Sequence, residues 1–132
     1  RTGTIPLVAG LLAGLALAGC GPSTPLQHGS LTERLQDDDP VVRVRAIAEA
    51  ARTDNRRVSP FLVDRLTDSA QDVRFAAIMA LRDITGRTFD YEYYAPYRER
   101  SAAQRRWRQW LREEGIARPD AVPPDTSREV AG

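Results

Sequence analysis

Apolar residues recur at helical spacing in two successive segments of the chain. In each segment, two leucines four residues apart precede a longer apolar stripe with the period of an amphipathic helix. The first segment holds Leu31 and Leu35, then Val42, Ala46, Ile47 and Ala50, and the second holds Leu62 and Leu66, then Val73, Ala77, Ile78 and Leu81. Each segment therefore predicts a short helix followed by a longer one, which together form a helical hairpin.

The two segments are also similar to each other in sequence. A shift of 31 residues aligns positions 31–54 with positions 62–85, and eight of the 24 aligned residues are identical. Self-similarity at a fixed period in this range is typical of solenoids, in which stacked repeats bury one continuous core. We therefore predict an all-α fold, a short solenoid of two helical hairpins.

Signals for helix ends fall where these hairpins need them. Ser30 and Glu33 form a capping box, and Asp39 before Pro40 places an N-cap residue ahead of a proline in the first turn. The corresponding signals in the second hairpin are Ser59-Pro60, the box-like pair Ser69 and Asp72, and Gly86 as a C-cap.

The turn and the start of the longer stripe carry a family resemblance over about residues 31–85. An Asp, a Val-Arg pair and an Ala-Ile pair recur in the same order in both units, and this pattern resembles HEAT repeats. The resemblance implies a structural role for the turn Asp and the following Arg, which would hydrogen-bond from repeat to repeat in a ladder. The implied ladder residues are Asp37, Arg43, Asp68 and Arg74.

A second amphipathic helix is predicted after the repeats, from Arg98 to Glu114, with Trp107, Trp110 and Leu111 on one face. Two interpretations of this region stay open. The apolar face would cap the exposed flank of the second hairpin, because a two-repeat solenoid needs a closing element. Alternatively, aromatic and Arg residues would form a partner surface, since Tyr, Trp and Arg are enriched at interface hot spots. The residues of that possible surface are Tyr91, Tyr93, Tyr94, Tyr97, Arg98 and Arg100.

The first 20 residues have the pattern of an export signal. An apolar run from Ile5 to Ala18 is too short to span a bilayer and suits a signal peptide. The tetrapeptide Leu17-Ala18-Gly19-Cys20 resembles the lipobox of bacterial lipoproteins, which implies cleavage before Cys20 and diacylglycerol and acyl groups on that residue. Because Gly21, and not Asp, follows Cys20, we expect a lipid anchor at the periplasmic face of the outer membrane.

These patterns divide the chain into four parts. We predict a lipoprotein signal peptide at residues 1–19, the acylated Cys20 with a flexible tether to residue 29, a HEAT-like repeat domain with its capping helix at residues 30–114, and a disordered tail at residues 115–132.

The net charge and the scarcity of Cys and His argue against several classes of function. The chain has 19 basic residues, all Arg, against 18 acidic ones, so removal of Arg1 with the signal peptide leaves the mature protein neutral. A neutral chain lacks the overall basic field with which proteins bind nucleic acid, and we expect no nucleic-acid partner. One Cys and one His, with His28 in the tether, leave little from which to build a metal site or catalytic pair. We predict no catalytic residues, no metal and no cofactor beyond the acyl groups on Cys20.

The sequence thus favours a membrane-anchored, non-enzymatic protein-interaction or scaffold lipoprotein whose partner is another envelope protein. Two alternatives stay open: a purely structural envelope lipoprotein without a discrete partner surface, and a small-ligand binder that uses a groove between the hairpins.

Overall fold

The computed structural model describes Gly3 and residues 29–118. Within this part of the chain the fold is an all-α helical repeat solenoid without strands. Its helices are α1 (Leu31–Arg34), α2 (Pro40–Thr53), α3 (Ser59–Asp64), α4 (Gln71–Thr85) and α5 (Tyr97–Glu113), with single 3-10 turns at Arg56–Val58 and Arg65–Thr67. The pairs α1–α2 and α3–α4 are the two predicted hairpins, and α5 closes the stack.

The first hairpin begins as its sequence predicts. The Ser30 side chain accepts a hydrogen bond from the Glu33 amide, and the Glu33 carboxylate accepts one from the Ser30 amide, which completes the capping box. Asp39 caps α2 through the Val41 amide at 2.8 Å, with Pro40 in the first turn. A bidentate ion pair between Arg34 and Glu49, at 2.7 and 3.0 Å, then joins α1 to α2.

The second hairpin begins differently: α3 starts at Ser59-Pro60 as predicted, but Ser59 is not its N-cap, and the N-cap predicted at Ser69 is wrong. Ser59 is the first residue of α3 and is fully buried, because the chain enters α3 through the 3-10 turn that the Asn55 side chain caps. Helix α4 has Ala70 at its N-cap with no side-chain hydrogen bond. The Asp68 carboxylate binds the Ala70 amide at 2.9 Å, so the turn is ordered by Asp68 and not by Ser69.

The core lies between the longer helices and under α5. Helices α2 and α4 pack along each other, and Leu35, Leu62 and Leu66 fill the space beneath them with no exposed area. Val42 is only half-buried, whereas the neighbouring Arg43 is buried. The apolar stripe is therefore interrupted by a buried charge on the face that meets the second hairpin.

The segment between α4 and α5 redirects the chain across the stack. Gly86 ends α4 in the left-handed region with φ 72°, and its amide bonds the Arg82 carbonyl at 2.8 Å, which confirms the predicted C-cap. Phe89 and Asp90 also have positive φ, at 50° and 54°. This bend sends α5 over α3 and the 3-10 turn after it, so that α5 covers the shorter helix of the second hairpin.

Several predicted segments lie outside the described residues: the signal peptide, Cys20, most of the tether, and positions 119–132 of the tail. Among the described helices none is long and apolar enough to cross a membrane.

Candidate protein-interaction surface

Arg43 connects the two hairpins through hydrogen bonds from both terminal nitrogens of its guanidinium. Its Nη1 donates to the carbonyl oxygens of Asp37 and Asp38 at 2.6 and 3.0 Å, and its Nη2 donates to Asp68 Oδ1 at 2.9 Å. Both charged side chains are more than nine-tenths buried. The carboxylate of Asp37 lies apart from this contact and accepts the Asp39 amide at 2.8 Å. The structure thus brings Arg43 and Asp68 together, whereas Asp37 contributes its backbone.

Arg74 repeats this geometry one unit later with a different acceptor. Its Nη1 donates to the carbonyl oxygens of Asp68 and Ser69 at 2.8 and 2.9 Å, as Arg43 does in its own turn. Its Nε donates to the Tyr93 carbonyl at 2.8 Å, where Arg43 meets a carboxylate. A backbone carbonyl of the connecting segment therefore ends the ladder.

This repeated geometry agrees with comparison against known families. Residues 30–91 match the family model of the HEAT repeats. Comparisons with curated proteins and with solved structures gave no match. The matched range ends two residues before Tyr93, the acceptor that closes the HEAT ladder.

At the end of the matched range, the position of Tyr91 differs from the one expected from the sequence. Only 7% of it is exposed, and its hydroxyl donates to the Leu66 carbonyl at 2.6 Å. Burial raises the pKa of Tyr91 to about 12, although the charges of Arg100 and Arg74 oppose the change. Tyr91 therefore ties the connecting segment to the core and is not part of an exposed partner surface.

The other three tyrosines lie at or near the surface, together with a residue that the sequence did not single out. The Phe75 and Tyr93 rings meet edge to face at 5.0 Å, and Tyr93 meets Tyr94 in the same way at 5.1 Å. Phe75 is 47% exposed, Tyr94 64% and Tyr97 63%. We call Phe75, Tyr93, Tyr94 and Tyr97 the aromatic surface.

The sequence did not mark Phe75 as a partner-surface residue, because its position in the helical pattern does not reveal whether the side chain is exposed. The equivalent residue one repeat earlier, Val44, is half-buried against the core, so the repeat pattern predicts an apolar residue there. The replacement of Val by a larger aromatic residue in the last repeat was the available signal. In the second hairpin the Phe75 ring meets Tyr93 and so belongs to the aromatic surface.

The two arginines of the predicted surface differ in their surroundings. Arg98 is exposed, whereas Arg100 is half-buried with its guanidinium 5.8 Å from the centre of the Tyr97 ring. The Nε and Nη1 atoms of Arg100 are buried, and no acceptor among the described residues bonds them. The aromatic surface is therefore bordered by the exposed Arg98 and by Arg100, whose guanidinium lies against the Tyr97 ring.

The apolar face of α5 packs as the capping interpretation expects. Trp107 has no exposed area, and Trp110 and Leu111 are 6% and 5% exposed. The Phe89 ring meets Trp107 edge to face at 4.7 Å, and Gln104 Nε2 donates to the Val63 carbonyl at 2.9 Å. The tryptophans are thus cap residues, whereas Tyr94 and Tyr97 stay available to a partner.

The surface presents large apolar rings and guanidinium donors, which suit recognition. The part of the chain that the structure describes holds no group of three Cys, His, Asp or Glu side chains placed to bind a metal ion.

Proposed function

We propose that this protein is a membrane-anchored, non-enzymatic scaffold of the bacterial envelope, and that its aromatic surface docks another envelope protein. The observation that carries the proposal is the exposure of Phe75, Tyr94 and Tyr97 at the closed end of a repeat stack. Large rings held in place by a folded core bury much area at little entropic cost when a partner binds, which makes them frequent hot spots.

The repeat fold supports the same proposal. HEAT repeats are in general protein-interaction scaffolds, and residues 30–91 match them. In this chain the Arg74 Nε bonds the Tyr93 carbonyl, and within the described residues helix α5, and not a third hairpin, follows the second one. The surface next to this end is therefore a place where another protein can pack without competing with further repeats.

The anchor in this proposal rests on the sequence alone. Leu17-Ala18-Gly19-Cys20 resembles a lipobox, and two or three acyl chains on Cys20 would hold the protein stably at a membrane. Gly21 after the cysteine favours the periplasmic face of the outer membrane. The domain would then be displayed on a short tether to other proteins of the envelope.

Site-specific photo-crosslinking in a bacterial host tests the docking surface. A photoreactive amino acid at Tyr94 should yield a discrete protein adduct that Tyr97→Ala reduces about tenfold or more, since a hot-spot truncation costs above about 1–2 kcal/mol. The same label at Val41, which is 53% exposed on the first hairpin, is the matched control and should yield no such adduct.

The outcome decides between the two envelope functions. Equal adducts from positions 94 and 41, or none from either, would contradict a discrete partner surface and favour a purely structural lipoprotein.

A further inference from the structure

Helix α5 carries a row of arginines on the side opposite its buried residues. Trp107 and Leu111 face the core, so residues at the opposite helical angle face solvent. Arg98, Arg105 and Arg112 share that angle because they lie seven residues apart, and all three are exposed. They form a straight row about 21 Å long at 1.5 Å per residue. We call these three residues the arginine ridge.

The fold does not use the charges of this ridge. Arg106 donates to the Phe89 carbonyl and Arg108 pairs with Asp64 at 3.1 Å, so these neighbours help to hold α5 on the stack. By contrast, no acidic side chain of residues 29–118 lies within ion-pair distance of the ridge. Within the described part of the chain, Arg105 bonds only the Ser101 hydroxyl, at 3.1 Å.

Positive charge is therefore concentrated locally in a chain whose formal net charge is only +1. Helix α5 contains six Arg against two Glu. On the ridge side, four arginines with Ala102 and Gln109 line a shallow depression of about 530 Å³ that is open to solvent: Arg105, Arg106, Arg108 and Arg112. A surface of this kind offers planar donor groups to phosphate oxygens.

We propose that the arginine ridge lies against the anionic headgroups of a phospholipid bilayer and so fixes how the domain sits on the membrane. This inference rests on the proposed function for the anchor that keeps the domain at a bilayer. Gly29 is nine residues after Cys20, so the tether spans at most about 31 Å when extended. When the domain is held this close, each arginine that lies within a Debye length of an anionic leaflet attracts the domain to that leaflet.

The composition of the ridge side favours a bilayer over an acidic protein. Between the arginines the helix presents Ala102 and Gln109, without a large apolar side chain. Protein interfaces draw most of their affinity from a desolvated core of aromatic or aliphatic anchors, which the ridge lacks. A headgroup layer needs only a row of charge along a helix that lies parallel to it.

Vesicle binding by the full chain carrying Cys20→Ala tests this proposal without depending on acylation. Vesicles of phosphatidylcholine alone are compared with vesicles that contain about a third phosphatidylglycerol. The N-terminal apolar segment is the same in every variant and carries no charge beyond Arg1. The ratio of affinities for the two vesicles therefore isolates the electrostatic part of binding.

The assay compares two double variants. Arg105→Gln/Arg112→Gln changes the arginine ridge, and Arg45→Gln/Arg52→Gln changes a pair of exposed arginines at the same seven-residue spacing on α2. The first pair should lower the preference for anionic vesicles about tenfold to thirtyfold, and the second should leave it within about twofold. The preference should also shrink between about 0.1 M and 1 M salt, as the Debye length falls from about 10 to 3 Å. Equal thermal unfolding of the variants checks that exposed residues were changed without loss of the fold.

Four results would overturn the proposal. The first is no preference for anionic vesicles, and the second is an equal loss of that preference in both double variants. The third is abolition of binding by inorganic phosphate at constant ionic strength, which would indicate a soluble phosphate ligand. The fourth is ridge-dependent crosslinking to an acidic protein without vesicle binding. None of these concerns Tyr94 or Cys20 acylation, so the ridge and the proposed function fail separately.

Discussion

At the scale of single residues, the contact between Arg43 and Asp68 is the main polar link between the two hairpins. Both groups are buried, and Asp68 also binds the Ala70 amide and meets Arg65 at 3.4 Å. A buried pair adds little stability compared with apolar residues, but loss of one partner leaves the other charge without compensation. The pair therefore fixes how the hairpins stack more than it stabilises them.

Asp68→Ala should destabilise the domain by about 3–5 kcal/mol, since it leaves the Arg43 guanidinium buried beside an empty site. Urea unfolding followed by circular dichroism measures the change. Asp83→Ala is the control, because its contact with Arg82 is long, at 3.9 Å, and exposed, and it should change stability by no more than about 0.5 kcal/mol. Similar effects of the two substitutions would contradict the role given to Asp68.

The raised pKa of Tyr91 predicts that the folded protein loses stability at high pH. Its pKa is about 12 in the folded protein and about 10 in an unfolded chain, so the unfolded state releases its proton first. The stability from the neutral, hydrogen-bonded hydroxyl is complete below pH 10 and falls as the pH rises from 10 to 12.

Tyr91→Phe should remove this pH dependence at a small cost in stability. It should lower stability near pH 8 by about 1 kcal/mol, because the Leu66 carbonyl loses its donor, and should flatten the decline above pH 10. Denaturant unfolding at pH 8, 10 and 11 measures both effects. An unchanged decline in the variant would show that another group causes it.

Sequence reasoning identified the ladder residues but not the burial of Tyr91. The repeat offset placed Asp68 at the position of Asp37 and Arg74 at that of Arg43, and the structure brings Arg43 of the first unit to Asp68 of the second. Tyr91 lies in an irregular segment whose neighbours have positive φ, and no periodicity there indicates which tyrosine turns inward. Its burial depends on the Leu66 carbonyl, which is distant in sequence.

At the scale of elements, helix α5 was predictable in its extent but not in its placement. The sequence places it at residues 98–114 and the structure at Tyr97–Glu113. Its position across α3 follows from the bend at Phe89 and Asp90, since two non-glycine residues with positive φ reverse the chain there. Such a conformation is held by tertiary packing, which a helical periodicity does not encode.

Trp107→Ala tests whether α5 is an integral part of the repeat domain. The ring is fully buried and meets Phe89 and Trp110, so its loss should cost about 3–5 kcal/mol. Thermal and urea unfolding should show one cooperative transition at reduced stability, with Gln109→Ala, on the exposed side of α5, within about 0.5 kcal/mol of the parent. A variant that keeps its stability would mean that α5 does not cap the stack.

At the scale of the whole molecule, the arrangement of charge matters more than its sum. The near balance of 19 Arg against 18 acidic residues led us to expect no nucleic-acid partner, because the chain lacks an overall basic field. The structure places six arginines on α5, of which the ridge residues lack acidic partners among residues 29–118. A sequence total cannot show this segregation, because ion pairing depends on which acidic side chains the fold brings near.

We propose above all that a lipid anchor on Cys20 holds the repeat domain at the membrane. Detergent phase partitioning with intact mass measurement, on the chain made in a bacterial host beside Cys20→Ala, tests it most directly. We predict that the unchanged protein enters the detergent phase with the mass of a chain that begins at an acylated Cys20, and that Cys20→Ala lacks the acyl mass. A parent protein that stays in the aqueous phase, or that keeps residues 1–19 without acylation, would contradict the claim.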